Sequence, residues 1–180
     1  MNNALNSKTY ADIECLTVDL LKKTGLYYIS FDVHRLARDL GLEIYSADFI
    51  NPSMSGLIRR EKIGLTSCEE TAIYYNRALN LDCVRFIVAH EIGHWYLGHL
   101  EQNSSGFYDY QLDLYRRQCG ADSKHRMEVE ANCFAAAILM PREFVISSWK
   151  ESSGSIEEMA RRFRVSTVEM GLRADYIDRN

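Results

Sequence analysis

The sequence contains no long apolar run, no internal repeat and no low-complexity tract. No stretch approaches the roughly 20 consecutive apolar residues that a membrane-spanning helix needs, so we expect no membrane segment. Residues 1–8 do not combine a basic start with an apolar run, so we expect no secretory signal peptide. The formal net charge of −4 gives no general attraction to nucleic acid or to an anionic membrane.

Paired cysteines are missing as well. The five cysteines are dispersed, odd in number and never spaced as C-x-x-C; they are Cys15, Cys68, Cys83, Cys119 and Cys133. This pattern argues against a disulfide framework and against a zinc site made of thiolates. We therefore expect reduced thiols in a cytoplasmic protein. A chain of 180 residues is long enough for one domain with its own core and a small additional segment.

One motif indicates specific chemistry. Residues 85–94 read R-F-I-V-A-H-E-I-G-H, which places H-E-x-x-H in an apolar stretch without proline. Four residues are close to one helical turn, so His90 and His94 project from the same face of a helix. Each ring can give a nitrogen to one Zn²⁺. Glu91, one position along, can accept a proton from the attacking water without being a ligand, so the motif predicts a zinc peptidase.

A catalytic zinc site needs a third protein ligand. The pattern H-E-x-x-H-x-x-G-x-x-H is excluded, because its glycine and last histidine positions hold Leu97 and Leu100. We expect the helix to continue through Gly98 to His99, which then lies away from the face of His94, so we do not expect His99 to contact the metal. Residues 128–132, E-V-E-A-N, offer a carboxylate on a second helix instead.

Two carboxylates of this second helix compete for the ligand role. Glu128 and Asn132 share a face, so Asn132 can hydrogen-bond a ligand histidine when Glu128 binds the metal. Glu130 lies about 200° around the helix from Glu128, so both cannot face the metal. We favour Glu128, because only this choice leaves a polar side chain one turn further on, and keep Glu130 as the alternative metal ligand. An oxyanion donor is also expected, with His125 and the tyrosines of residues 107–115 as candidates.

The residues before the motif predict a small sheet that follows two helices. Apolar spacing and alternation predict, in order, helices over 10–23 and 32–40, a strand over 42–45, a turn at 53–56, a hairpin over 57–65 and a strand over 71–76. Because the last strand leads directly into the histidine helix, we expect it to bind an extended peptide as an added strand. Tyr74 and Tyr75 could shape pockets there, although packing is the commoner role of such residues.

The sequence becomes polar and irregular from Gln102 to Arg126, with loops predicted at 103–106 and 120–125. Such a connection beside an active site is often a lid or a recognition segment. The next residues, 127–140, predict a helix that ends before proline.

The C-terminal residues 156–177 have the apolar spacing of a helix-turn-helix unit, with Val165 and Ser166 at the turn and the second N-cap. Arg164 takes a left-handed position at which glycine is usual. Four arginines could contact phosphates: Arg161, Arg162, Arg164 and Arg173. Acidic residues offset much of this charge, so we favour structural packing or docking on a protein partner over DNA binding.

Three stretches together resemble the ImmA/IrrE family of metallopeptidases. Residues 85–94 carry R-F-x-x-A-H-E-x-G-H, residues 128–141 carry E-x-x-A-N-x-F-A-A-x-x-L-M-P, and residues 159–166 carry M-A-R-R-F-x-V-S. The first strand with the helix before it, and the pair Ser55-Gly56, are also similar to the family's N-terminal half. The resemblance extends over roughly residues 30–175.

This resemblance implies a gluzincin-like site with His90, His94 and Glu128 on Zn²⁺ and Glu91 as the catalytic base. Mn²⁺ is the alternative metal. It also implies a partner, because members of the family cleave a helix-turn-helix (XRE-type) transcriptional repressor and thereby switch genes on. Two other functions stay open: a non-catalytic antirepressor that acts by protein binding, and a DNA-binding regulator with a structural metal.

The combined prediction is an α+β fold, in which a small, mostly antiparallel sheet packs on helices and a zincin-like helix pair carries the active site. We divide the chain into a zincin-like metallopeptidase domain, residues 1–145, and a C-terminal helical segment like a helix-turn-helix, residues 146–180. The oligomeric state does not follow from the sequence.

Overall fold

The computed structural model describes residues 8–62, 69–101, 107–110, 123–152 and 154–179. In chain order the elements are α1 (Tyr10–Lys23), α2 (Val33–Asp39), β1 (Leu42–Ala47), β2 (Met54–Lys62), β3 (Glu69–Asn76), α3 (Leu81–Tyr96), a short 3₁₀ turn (His99–Glu101), β4 (Phe107–Tyr110), α4 (Ser123–Leu139), α5 (Arg142–Glu151), α6 (Ile156–Phe163) and α7 (Thr167–Arg179). This content confirms the predicted α+β class.

The four strands within the described ranges form one mixed sheet in the order β1-β3-β2-β4. β1 runs parallel to β3, whereas β2 is antiparallel to both β3 and β4, so antiparallel pairing predominates as predicted. The expectation that β3 binds an added peptide strand is wrong, because β3 is an internal strand with a neighbour on each side. The predicted turn at 53–56 is also displaced, since β2 already begins at Met54. Residues 63–65 of the predicted hairpin lie outside the described residues.

Local sequence signals explain where α3 begins and ends. The side chain of Asn80 accepts a hydrogen bond from the backbone N–H of Cys83 at 2.9 Å, which caps the first turn. At the other end Gly98 has φ +79°, a left-handed conformation that glycine adopts without strain. The helix therefore ends at Tyr96 and does not continue to His99 as the sequence suggested.

α4 begins earlier than predicted. Its first residue is Ser123, so the predicted loop at 120–125 is wrong for its last three residues, and His125 is helical. The remaining part of that loop, and residues 103–106, lie outside the described residues. The helix ends at Leu139, two residues before Pro141, as predicted.

α3 and α4 pack face to face, and a glycine sets their separation. A Cβ atom on Gly93 of α3 would lie 3.1 Å from the Cβ of Phe134 and 3.2 Å from the carbonyl oxygen of Ala131, both on α4. Any larger residue would therefore push the helices apart. The apolar core continues from this contact to the inner face of the sheet, where Ile58 and Ile73 are fully buried.

The C-terminal helices belong to the same apolar core, to which α6 and α7 contribute Met159, Phe163 and Met170. As predicted, Ser166 caps α7, because its hydroxyl accepts from the N–H of Glu169 while the Glu169 carboxylate accepts from the N–H of Ser166. Arg164 has φ 55°, the predicted left-handed conformation. The predicted domain boundary at 145/146 falls inside α5 and stays a prediction.

Arg173 does not offer its charge to a phosphate, contrary to the sequence-based suggestion. It is 4% exposed, its Nε donates to the carbonyl oxygen of Met140 at 2.9 Å, and its guanidinium pairs with Glu14 of α1. Arg162 is exposed but pairs with Glu151 at 2.5 Å. Within the described ranges, none of the helices combines the length and apolarity needed to cross a bilayer.

Candidate metal centre

The two histidines of the motif lie one turn apart on α3 and face α4. Both are 1% exposed. Their Nε2 atoms are 3.0 Å apart, and the ring centroids are 4.7 Å apart at an interplanar angle of 72°. His90 and His94 therefore direct the same type of nitrogen into one small volume, as the four-residue spacing predicted.

Glu128 of α4 supplies the third group. Its Oε2 atom lies 3.3 Å from Nε2 of His90 and 3.5 Å from Nε2 of His94. Ligands of a tetrahedral zinc ion with bonds of 2.0–2.1 Å are separated by about 3.4 Å. The three atoms thus already have the mutual spacing of three corners of such a tetrahedron. Among the described residues, only these three form a group able to hold a metal ion.

Protonation also suits a divalent cation. Burial lowers the pKa of His94 to about 3, so the ring is neutral near pH 7. Burial alone would raise the pKa of Glu128, but its contacts with the His90 and His94 rings outweigh burial and hold that pKa well below its usual range. Two imidazoles and one carboxylate are a donor set that Zn²⁺ accepts. The Oε1 atom of Glu128 is buried and has no hydrogen-bond partner among the described residues, which also fits a cation site.

Asn132 lies one turn after Glu128 and contacts the outer nitrogen of His90. The Oδ1 of Asn132 is 2.9 Å from Nδ1 of His90. An amide oxygen accepts only, so Nδ1 carries the proton and the lone pair on Nε2 points to the centre. This is the arrangement predicted for Asn132 as a residue that orients a ligand histidine.

His94 receives a corresponding contact from residues that the sequence analysis placed elsewhere. After the reversal at Gly98, His99 returns to α3, and its Nδ1 lies 2.9 Å from Nδ1 of His94. The Nε2 of His99 lies 3.1 Å from Oε2 of Glu130. Glu130, the alternative metal ligand, is therefore directed at His99, and the structure places Glu128 beside the two motif histidines. Burial lowers the pKa of His99 as well.

The position of His99 was missed because α3 was extended through Gly98. A glycine directly after the last apolar residue of a helix is a common signal for a left-handed C-terminal cap. Applied here, that signal would have ended the helix before His99 and freed the ring to turn back. The role of Glu130 depends on His99 and could not be inferred without it.

Glu91 is fully buried next to the strand β2. A Cβ atom on Gly56 would lie 2.8 Å from Oε1 of Glu91 and 2.5 Å from Cγ2 of Ile87, so only glycine fits between strand and helix. β2 is thus in close contact with the glutamate of the motif, and within the sheet Gly56 pairs with Asp109 of β4. The carboxylate of Glu91 does not belong to the metal-binding group.

The candidates for an oxyanion donor are only partly described. His125 lies on α4 three residues before Glu128, and residues three apart are neighbours on a helix surface. Tyr108 and Tyr110 belong to β4, whose backbone alone is described, and Tyr115 lies outside the described residues.

Comparison with known proteins places this geometry in a family. Among solved structures, a Mycobacterium tuberculosis transcriptional regulator has a TM-score of 0.58 and 18% sequence identity, over 88% of this chain and 45% of the other. This likeness shows a shared fold, and this chain spans less than half of that protein's length. No curated protein matches significantly. The family model of the IrrE N-terminal-like domain, Peptidase_M78, matches residues 37–175. Because this match extends over more than half of the chain, the protein belongs to the Peptidase_M78 family.

Proposed function

We propose that this protein is a zinc-dependent endopeptidase that cleaves a helix-turn-helix transcriptional repressor. The observation that carries the proposal is the spacing of the three facing atoms of His90, His94 and Glu128, which fits a tetrahedral metal ion. A glutamate that is not a ligand follows the first histidine directly. A site that only stabilises the fold has no use for such a base.

The chemistry we propose divides between the metal and Glu91. A bound divalent ion supplies Lewis acidity, which activates water near neutral pH and polarises a peptide carbonyl. The carboxylate of Glu91 accepts the proton of the attacking water and delivers it to the leaving amine nitrogen. Its burial beside Gly56 keeps this carboxylate in a fixed position and away from bulk solvent. Asn132 orients the ring of His90.

A transcriptional repressor as substrate is supported by the regulatory role that the family's name-giving IrrE domain suggests, and by the structural likeness to a transcriptional regulator. The proposed compartment is the cytoplasm, where such a partner is found. The described cysteines, Cys15, Cys83 and Cys133, are free thiols, which suits a reducing environment.

The test is co-expression with the helix-turn-helix repressor encoded nearest to this gene. Wild type is compared with Glu91→Gln, which keeps the size of the side chain and removes the base. Glu43→Gln, an exposed position of β1, is the matched control. Repressor length is measured by mass spectrometry, and displacement from the operator by a gel shift.

The expected result is one defined cut with wild type and Glu43→Gln and none with Glu91→Gln. If the repressor stays intact and both wild type and Glu91→Gln displace it from the operator, the protein is a non-catalytic antirepressor and the peptidase proposal is wrong. A repressor that stays intact and bound would exclude it as the substrate.

A further inference from the structure

We propose that His99 and Glu130 hold the ligand histidine His94 in its metal-binding orientation through a directional chain of two hydrogen bonds. His99 is then a positioning residue and not a ligand. The inference rests on the metal site of the proposed function and assigns roles to two residues outside the ligand set.

His94 and His99 are buried, Glu130 is half-buried, and the three groups follow one another at hydrogen-bond distances. The side chains of His99 and Glu130 are 2% and 13% exposed, and His94 is 1% exposed. Nδ1 of His94 and Nδ1 of His99 are 2.9 Å apart, and Nε2 of His99 is 3.1 Å from Oε2 of Glu130. The two rings meet edge to face, with centroids 5.0 Å apart at 71°. Each separation suits one hydrogen bond.

The chemistry allows one arrangement of protons along this chain. Nε2 of His94 faces His90 and Glu128, so a metal at the centre requires the lone pair on that atom and the proton on Nδ1. Nδ1 of His94 then donates to Nδ1 of His99, which must be the unprotonated nitrogen of its ring. His99 therefore carries its proton on Nε2 and donates it to the carboxylate of Glu130, which only accepts.

The same geometry excludes His99 as a fourth ligand. The nitrogen of His99 that contacts His94 is Nδ1, and it lies beside Nδ1 of His94, not beside the metal-facing Nε2. The metal-facing group comprises His90, His94 and Glu128 among the described residues. Outer hydrogen bonds of this type fix the tautomer and the ring orientation of a ligand histidine and raise its basicity.

Two isosteric substitutions separate the two bonds. Asn at position 99 places its oxygen where Nδ1 of the imidazole was, so His99→Asn keeps the acceptor for His94 and loses the bond to Glu130. Gln places its terminal amide where Nε2 was, so His99→Gln keeps the donor to Glu130 and loses the bond to His94. Zn²⁺ affinity of the full-length proteins is measured by competition with a chromophoric chelator at constant pH.

We expect His99→Gln to bind Zn²⁺ about 10- to 100-fold more weakly than wild type, and His99→Asn to fall between the two. The absorption spectrum of the Co²⁺ complex, which reports ligand geometry, should change more in His99→Gln. Equal affinities and spectra for the two variants would overturn the inference, since a packing role would not distinguish them.

Two further variants keep the test decisive if either substitution prevents folding. Glu130→Gln retains an acceptor for His99, whereas Glu130→Ala removes it, so we expect Ala to weaken Zn²⁺ binding more than Gln; equal affinities would count against the chain. Glu128→Ala separates the two proposals. If wild type binds Zn²⁺ no better than Glu128→Ala, the metal site and the proposed function fail. If wild type binds and the variants at 99 and 130 equal it, only this inference fails.

Discussion

The candidate metal centre and the C-terminal helix pair α6–α7 both contain a left-handed residue at the end of a helix, but this residue has a different effect in each. Gly98, with φ +79°, returns a polar ring to the centre. Arg164, with φ 55°, turns the chain between two helices whose contact is apolar. In the centre the buried groups are ionisable and face one another. In the helix pair most charged side chains lie at the surface.

The difference indicates where polar burial serves chemistry. Buried charges and imidazoles are costly unless they pair with each other or with a metal. The centre concentrates such groups in one place, with α3 and α4 supplying all three proposed ligands. The buried Arg173 of α7 instead contacts Glu14 of α1 and the carbonyl oxygen of Met140, the residue after α4, which is a packing role. This contrast predicts that equivalent substitutions have unequal effects in the two regions.

The largest effect is expected from removing a proposed ligand. Glu128→Ala should weaken Zn²⁺ binding by more than the roughly 100-fold that loss of an outer hydrogen bond costs, because a direct ligand is lost. Glu158→Ala, an exposed glutamate of α6, is the matched control and should bind like wild type. The measurement is chelator competition on both purified proteins. Unchanged Zn²⁺ binding by Glu128→Ala would contradict the proposed difference between the centre and the helix pair.

Glycine-to-alanine substitutions give the next effect. At Gly56 the new methyl group meets Glu91 and Ile87, so we expect the free energy of unfolding to fall by about 1–3 kcal/mol and peptidase activity to fall about 10- to 100-fold. Gly171 of α7 has open space around it, and alanine there should stabilise the helix by about 0.5–1 kcal/mol. Urea unfolding of both variants, with a cleavage assay, tests the pair. A neutral Gly56→Ala would contradict the close contact between β2 and Glu91.

Acidification should destabilise the metal-free protein through the centre. The pKa of His94 is about 3 in the folded state, against the usual 6.5 in the unfolded chain. Below pH 6.5 the unfolded chain therefore binds a proton at this ring, whereas the folded chain does not. Stability from this group is complete above pH 6.5 and falls by up to about 1.4 kcal/mol for each pH unit below it. Residues 146–180, which include the helix pair α6–α7, contain no histidine, so no histidine of that region contributes to this loss of stability. Urea midpoints of chelator-treated wild type and His94→Gln between pH 7 and pH 5 provide the test; identical slopes would exclude His94 as the cause.

The smallest effects concern the two left-handed residues. Arg164→Gly should raise the free energy of unfolding by about 0.5–1 kcal/mol, because glycine adopts this conformation without steric cost. Gly98→Ala should lower it by about 1 kcal/mol and should also weaken Zn²⁺ binding, because His99 follows directly. Thermal unfolding would resolve shifts of about 2–4 °C per kcal/mol. Changes of opposite sign in the free energy of unfolding of the two variants would confirm the expected difference between Gly98 and Arg164, and changes of the same sign would contradict it.

Local signals were sufficient for much of the fold and for part of the site. The bounds of α1 and the N-cap at Ser166 depend on neighbours a few residues away, and the sequence predicted both of them. The shared direction of His90 and His94 depends only on helical periodicity. The choice of Glu128 over Glu130 also followed from spacing, because Asn132 lies one turn on.

The remainder depends on contacts between distant residues. The internal position of β3 follows from pairing with two strands, and no local pattern states which strand lies at an edge. The contact of Gly56 with Glu91 joins residues 35 positions apart. The bond between His99 and Glu130 joins residues 31 apart and appears only after Gly98 has ended α3.

Gly93 makes the spacing of the proposed ligand atoms depend on the apolar packing between α3 and α4. The proposed ligands stand on two helices, and the distance between those helices is limited by the missing side chain at this position. A displacement of a few tenths of an ångström there would move Glu128 relative to both histidines by a comparable amount, a noticeable fraction of the 3.3 and 3.5 Å separations. The packing at Gly93 therefore limits how far the three ligand atoms can move relative to one another. A stabilising redesign of this core would have to hold the α3–α4 spacing constant.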